Sequence, residues 1–212
     1  ITNLLDGGVA INNSSFLVVA SNGEFNLNGN GKITSYGTSN VRVNGGLLYI
    51  NAQELTMEGN STGLLTGDGE LRVNGGILNI LEESIVTIDD GKLEVLGNNV
   101  NINATAKLLL TTSDSFVHLD GGNINIDTEA KILSESASIT IDQGDLIATG
   151  FSEISLDIQS TFSISSSSAS SIFSENAHID ILSDSVFTSQ GTAMFKEDST
   201  WNVNSADFIV EG

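Results

Sequence analysis

The sequence predicts an all-β solenoid with three strands per coil, built as about nine coils of 22–24 residues. Two observations carry this. Between Leu71 and Ile102 one unit, a glycine turn followed by an alternating strand, is written four times: Gly69 precedes Leu71 and Val73, Gly75 precedes Leu78 and Ile80, Gly91 precedes Leu93 and Val95, and Gly97 precedes Val100 and Ile102. Equivalent glycines recur after 22 residues (Gly69 to Gly91, Gly75 to Gly97). At such a period each repeat buries its apolar side only by stacking on its neighbours. The composition agrees, because Gly (22 residues) is abundant and proline is absent. Every interior strand of a stack must both donate and accept hydrogen bonds, which proline cannot do.

Apolar pairs at i and i+2 mark the inward residues of a strand, and they sort the chain into three tracks. The first reads Phe25/Leu27, Leu48/Ile50, Leu71/Val73, Leu93/Val95, Val117/Leu119, Ile139/Ile141, Phe162/Ile164, Val186 and Phe208/Val210. The second reads Ala10, Ile33, Leu55/Met57, Leu78/Ile80, Val100/Ile102, Ile124/Ile126, Leu146/Ala148, Ile172 and Met194. The third reads Val18, Val41/Val43, Leu64, Val86/Ile88, Leu108/Leu110, Ile132, Ile154/Leu156, Ile179/Ile181 and Trp201/Val203. The one wide step, Phe162 to Ile172, coincides with the serine run Ser165 to Ser171 and reads as an enlarged turn. The period resumes after it, so residues 1–212 form a single domain.

Corners between flat strands need residues that tolerate positive φ, and Gly, Asn and Asp do so at least cost. The column Asn22, Asn44, Asp68, Asp90 and the corners Asp6-Gly7-Gly8, Asn44-Gly45-Gly46, Asn74-Gly75-Gly76 and Asp120-Gly121-Gly122 fit that need. With three strands per coil and this coil length, the chain resembles the right-handed parallel β-helix. That superfold is shared by pectate-lyase-like enzymes, tailspikes and the shafts of autotransporter-type adhesins, and the character here is nearest the shafts.

The formal net charge of −20, with only 7 Lys plus Arg, excludes a nucleic-acid partner, which requires clustered cations on the phosphates. No apolar run approaches the length of a membrane span. With no cysteine, disulfides and thiolate metal sites are excluded. Enzymes of the resembled class imply repeated acids, or acids with Arg and Lys, on the outer face of one track. Here Arg42 and Arg72 fall on different tracks, and the outward first-track residues Asn26, Tyr49, Arg72, Glu94, His118, Thr140 and Ser163 hold no repeated acid pair. The chain is therefore expected not to be an enzyme, with no cofactor. His118 and His178 read as exposed strand and turn residues. Asp68 and Asp90, at one corner of successive coils, are the weak candidates for a calcium ion.

On the third track Leu17, Val19, Leu65, Ile85, Leu109 and Leu133 are expected to point outward as a lateral apolar column. Ile1 to Leu5, with Leu4 and Leu5, and the strand holding Phe208 and Val210 before Gly212 both fall on the first track. They are expected to be end-stacking strands, so that the domain continues into a longer β-helix or meets another copy, spanning about 43 Å at about 4.8 Å per coil. Sequons at Asn12, Asn13, Asn60 and Asn103 are candidate glycan acceptors. The functional expectation is a structural β-helix at the cell surface or outside the cell: a shaft segment of an adhesin, or a filament subunit stacking end to end. A carbohydrate-binding or carbohydrate-cleaving β-helix is the alternative.

Overall fold

The computed structural model describes residues 2–211; Ile1 and Gly212, expected in the first strand and at the last corner, lie outside the described residues. The described residues are all strand and turn. Every strand pairing is parallel, with partners 21 to 25 residues apart, as in Phe187↔Phe208 and Phe162↔Phe187. The second track is a separate 9-stranded sheet, and the first and third tracks form one 17-stranded sheet. They merge because the strands Thr62–Asn74 and Ile85–Leu96 run through the corner between those tracks without a break. Where they pair, an irregularity between Asp89 and Gly91 makes the bend. The result is a β-solenoid of about nine turns.

The core is one continuous column of Ile, Leu, Val and, towards the C-terminal coils, Phe. Inward positions follow the expected tracks through the centre of the chain, where Leu71, Leu93, Val117 and Ile139 stack in register. Corners are lined by small residues because consecutive coils approach closely there. At Gly122 an added Cβ would lie 1.8 Å from the carbonyl oxygen of Asn98 in the coil below. Buried Ser39, Ser61, Ser84, Ala106, Ala130 and Ser152 hold the corner between the second and third tracks.

Several strands sit one residue out of the expected phase. On the third track Leu17 pairs with Val41 and Val19 with Val43, so Leu17 and Val19 face inward and Val18 faces out. Leu65 pairs with Val43 and is buried, while Leu64 faces out beside Arg42. On the second track the inward residues are Val9 and Ile11, not Ala10; Ser171 and Phe173, not Ile172; and Ala193 and Phe195, not Met194. On the first track Phe187, fully buried, replaces Val186. The common reason is that apolar residues occupy both parities of these strands. Side-chain volume and the register of the coil below then decide which set enters the core.

In the C-terminal coils the core becomes aromatic. Phe162, Phe187 and Phe208 stack along the first track with ring centroids 5.3 and 5.1 Å apart. Phe173 and Phe195 stack along the second at 4.9 Å. Trp201, on the third track, meets Phe195 at 5.6 Å and Phe208 at 5.1 Å.

Candidate functional site

The outer face of the first track carries the densest polar constellation. Strand pairing stacks Tyr49, Arg72, Glu94 and His118 in one outward column. Two residues before Arg72 and Glu94 in their strands come Glu70 and Lys92, within reach on the same face. Arg72 pairs with Glu70 at 2.6 Å and with Glu94, and Lys92 pairs with Glu94 at 3.3 Å. His118 closes the row, with Nδ1 3.6 Å from Glu94 and Nε2 2.9 Å from Asp142. Asp142 is the extra residue of a bulge, because Leu119 pairs with Ile141 but Asp120 with Gln143.

Glu94 is the hub, its side chain only 13% exposed. Burial pushes its carboxyl up, but the hydrogen bond and charge of Lys92, the charge of Arg72 and a hydrogen bond from His118 outweigh burial, and the group is held below the ordinary carboxylate range. For Arg72 burial likewise opposes the charge, and Glu70 with Glu94 outweighs it. This is a self-neutralising network in which each cation already has its carboxylate. It stiffens four successive coils.

The second track carries an amide ladder. Asn125 donates to Asn101 Oδ1 at 2.8 Å, Asn101 to Asn79 Oδ1 at 2.8 Å, and Asn79 to Glu54 Oε1 at 2.8 Å. Thr34 and Thr56 continue the column downwards. At the adjoining corner, side chains carry the stack past the strand ends: Asn99 Oδ1 accepts from the Asn123 N–H, Asn123 Oδ1 from that of Asp145, and Asp145 Oδ1 from that of Ser170. Asn-rich corners were legible in the sequence as turn formers. Their service as inter-coil acceptors was not.

Of the six residues expected in a lateral apolar column, the structure turns only Ile85, Leu109 and Leu133 outward. Leu109 and Leu133 are register neighbours, and Ile85 lies beside Lys107, two residues before Leu109 in the strand. Leu17, Val19 and Leu65 belong to the core face instead, and the outward column reads Val18, Arg42, Leu64, Thr87, Leu109, Leu133, Ser155, Asp180, Asn202.

Asp68 and Asp90 lie within the continuous strands Thr62–Asn74 and Ile85–Leu96, and both adopt φ of 60° where those strands bend round the corner. The Asp90 N–H donates to Thr112 Oγ1 at 2.9 Å. Among the described residues no three acids or histidines converge on a point. In the terminal coils Leu4 stacks on Leu27 in the core line, whereas Leu5 points outward, 77% exposed, because it pairs with outward Asn28; Thr2 and Leu4 are the inward pair of that strand. Phe208 and Val210 are the inward pair of the last first-track strand and lie over Phe187 and Ser189. Of the sequons, Asn13, Asn60 and Asn103 are exposed, and Asn12 is half-buried. His178 belongs to a strand, not a turn, and its Nε2 lies 2.9 Å from Asp180.

Comparison with protein-family models, with curated proteins and with solved structures gave no match to this chain.

Proposed function

We propose that this chain is a structural, extracellular β-helix of the right-handed pectate-lyase-like kind, a shaft segment of a surface adhesin or a subunit of a filament, and not an enzyme. The observation that carries this reading is the unbroken parallel ladder on all three tracks around one apolar column. A rod of that construction resists bending, because bending it must open backbone hydrogen bonds and core contacts in many coils together. Its outward polar groups are spent on neighbouring coils, as the amide ladder and the Glu94 network illustrate. The net charge of −20 opposes lateral clumping of such rods. Partners in this reading are further β-helical coils, in the same chain or in another copy, seated on the terminal strands that hold Leu4, Phe208 and Val210.

Electron microscopy of the purified chain and of the native material tests the reading. Straight rods of the solenoid's width, in continuous fibres or in longer stalks of the native protein, are expected. Flexible or globular native particles would refute it. The alternative, a carbohydrate-cleaving β-helix, draws on the Glu94, His118, Asp142 row. It requires new reducing ends from a polysaccharide, lost in H118A.

A further inference from the structure

One outer corner sets an exposed aromatic ring beside charged side chains, although two of its polar groups, Lys131 and Thr105, also reach Glu153 and the Glu82 carbonyl of neighbouring coils. It lies between the second and third tracks, over three successive coils. At the corner itself Thr105, Glu129 and Phe151 stack: the Glu129 N–H donates to Ala104 O and the Phe151 N–H to Thr128 O. Two residues further on, in the third-track strands, Lys107, Lys131 and Glu153 form a parallel column. The residues between the columns, Ala106, Ala130 and Ser152, turn inward and are buried. The two columns therefore stand as walls, about 7 Å apart along the strand and about 4.8 Å from coil to coil. Between them lies an open groove of about 450 Å³ lined by Thr105, Lys107, Glu129, Lys131 and Phe151.

Three features set its chemistry. Phe151 is 66% exposed, an apolar ring left in water next to charge. Its backbone follows a close approach between coils, because Gly150 before it sits at φ +69° against the Thr128 backbone, where a Cβ would come within 2.8 Å. Lys107 makes no ion pair among the described residues, while Lys131 pairs with Glu153. The lining sets Lys107 and Lys131 against Glu129, and Glu153 beside it pairs with Lys131, so the formal charges of the corner as a whole cancel, in a chain of net charge −20.

A polyanion is disfavoured by that balance and by the field of the whole rod. A purely apolar ligand would strand the ammonium and carboxylate groups. What matches is a neutral molecule with an apolar face and a rim of hydroxyls, and a pyranose ring has that shape. Its C–H face covers Phe151, and vicinal hydroxyls donate to Glu129 and accept from Lys107 and Lys131. The volume falls within the usual range for small-ligand sites, about 300–1,000 Å³.

We infer that this corner groove is a binding subsite for a neutral hexopyranose unit, with Phe151 as the stacking platform and Lys107, Lys131 and Glu129 as its hydrogen-bonding rim. It gives the rod a glycan contact on its flank, independent of whether the rod serves as a shaft. A shallow single-ring site binds weakly, with Kd on the order of 1 mM, and gains strength only when copies of the rod are arrayed.

The test is saturation-transfer NMR on unglycosylated protein, since sequon residue Asn103 lies two residues from Thr105. The probes are methyl glycosides of glucose, galactose, mannose and N-acetylglucosamine, with heparin and polygalacturonate as the polyanion arm. Transfer to the ring C–H protons of at least one neutral glycoside is expected. F151A should abolish it and K107A should weaken it by about tenfold, both with unchanged circular dichroism. A control variant on another face, T34A, should leave it intact. Transfer from no neutral glycoside, transfer that survives F151A, or a response confined to the polyanions would each overturn the assignment.

Discussion

Replacing Phe187 by alanine, with Val186→Ala as its partner experiment, tests the placement of the C-terminal coils. Both residues are apolar and adjacent, and a strict 22 to 24 residue period selects Val186 for the core. The structure selects Phe187, fully buried, stacked on Phe162 at 5.3 Å and on Phe208 at 5.1 Å, with Phe173 edge-on at 6.5 Å. Deleting a buried phenyl ring costs roughly 3–5 kcal/mol in lost transfer energy and cavity. Each aromatic pairing adds about 0.5–1.5 kcal/mol, which places F187A near the upper part of that range. About 4 kcal/mol is close to a thousandfold in the folding equilibrium. Val186 is half-buried and faces out, so V186A should cost under about 1 kcal/mol. The assay is urea unfolding followed by Trp201 fluorescence. Trp201, the only tryptophan, contacts Phe208, which stacks directly on Phe187, and so reports on these coils even if the solenoid unfolds segmentally. Equal losses in the two variants, or a larger loss in V186A, would refute the register and with it the 25-residue coil across Ser165 to Ser171.

Other outcomes follow from the same geometry. Gly122→Ala drives a Cβ into the Asn98 carbonyl and should cost roughly 2–4 kcal/mol, read as a fall in thermal midpoint; no change would mean the corner is looser than described. Glu94 has a folded carboxyl held below its ordinary value of 4.5, so the native state favours the ionised form more than the unfolded chain does. That stabilisation is complete above the unfolded value and is lost as pH falls through the lower folded value. E94Q should therefore cost about 1 kcal/mol at neutral pH, and its gap from wild type should narrow on acidification through that window, measured by urea midpoints at a series of pH values. Asn101→Ala breaks two rungs of the amide ladder and should cost about 1–2 kcal/mol, with faster amide exchange in the strands Ile77–Ile80 and Ile124–Ile126.

How much of this was legible beforehand varies along the chain. Around Leu71 and Ile139 the apolar residues occupy one parity only; around Leu93 and Val117 the inward pair is separated by charged or polar Glu94 and His118, and the extra apolar residues Leu96 and Phe116 sit at strand ends, so sequence and structure agree. At Leu17-Val18-Val19, Leu64-Leu65, Ile172-Phe173, Val186-Phe187 and Met194-Phe195 both parities are apolar, and period alone chose wrongly. The small inward residues Gly63, Ser171 and Ser189 hid the correct phase further, since a core position filled by Gly or Ser does not announce itself. The lateral column was misdrawn at Leu17, Val19 and Leu65 for this reason, and the outward strip Ile147, Ile172, Met194 passed unseen.

The sequence by itself determined the architecture: alternation with period 2 makes strands, Gly and Asx make corners, and their recurrence at about 22 residues makes a stack. These are local, additive signals, and they survive errors in any one coil. Only the tertiary structure decided which side chains share a face across coils. A one-residue change of phase leaves the pattern of strands and corners unaltered yet exchanges core for surface. The bulge that brings Asp142 to His118, and the corner that sets Phe151 beside Lys107 and Lys131, both depend on contacts between residues about one coil apart, which no local pattern encodes.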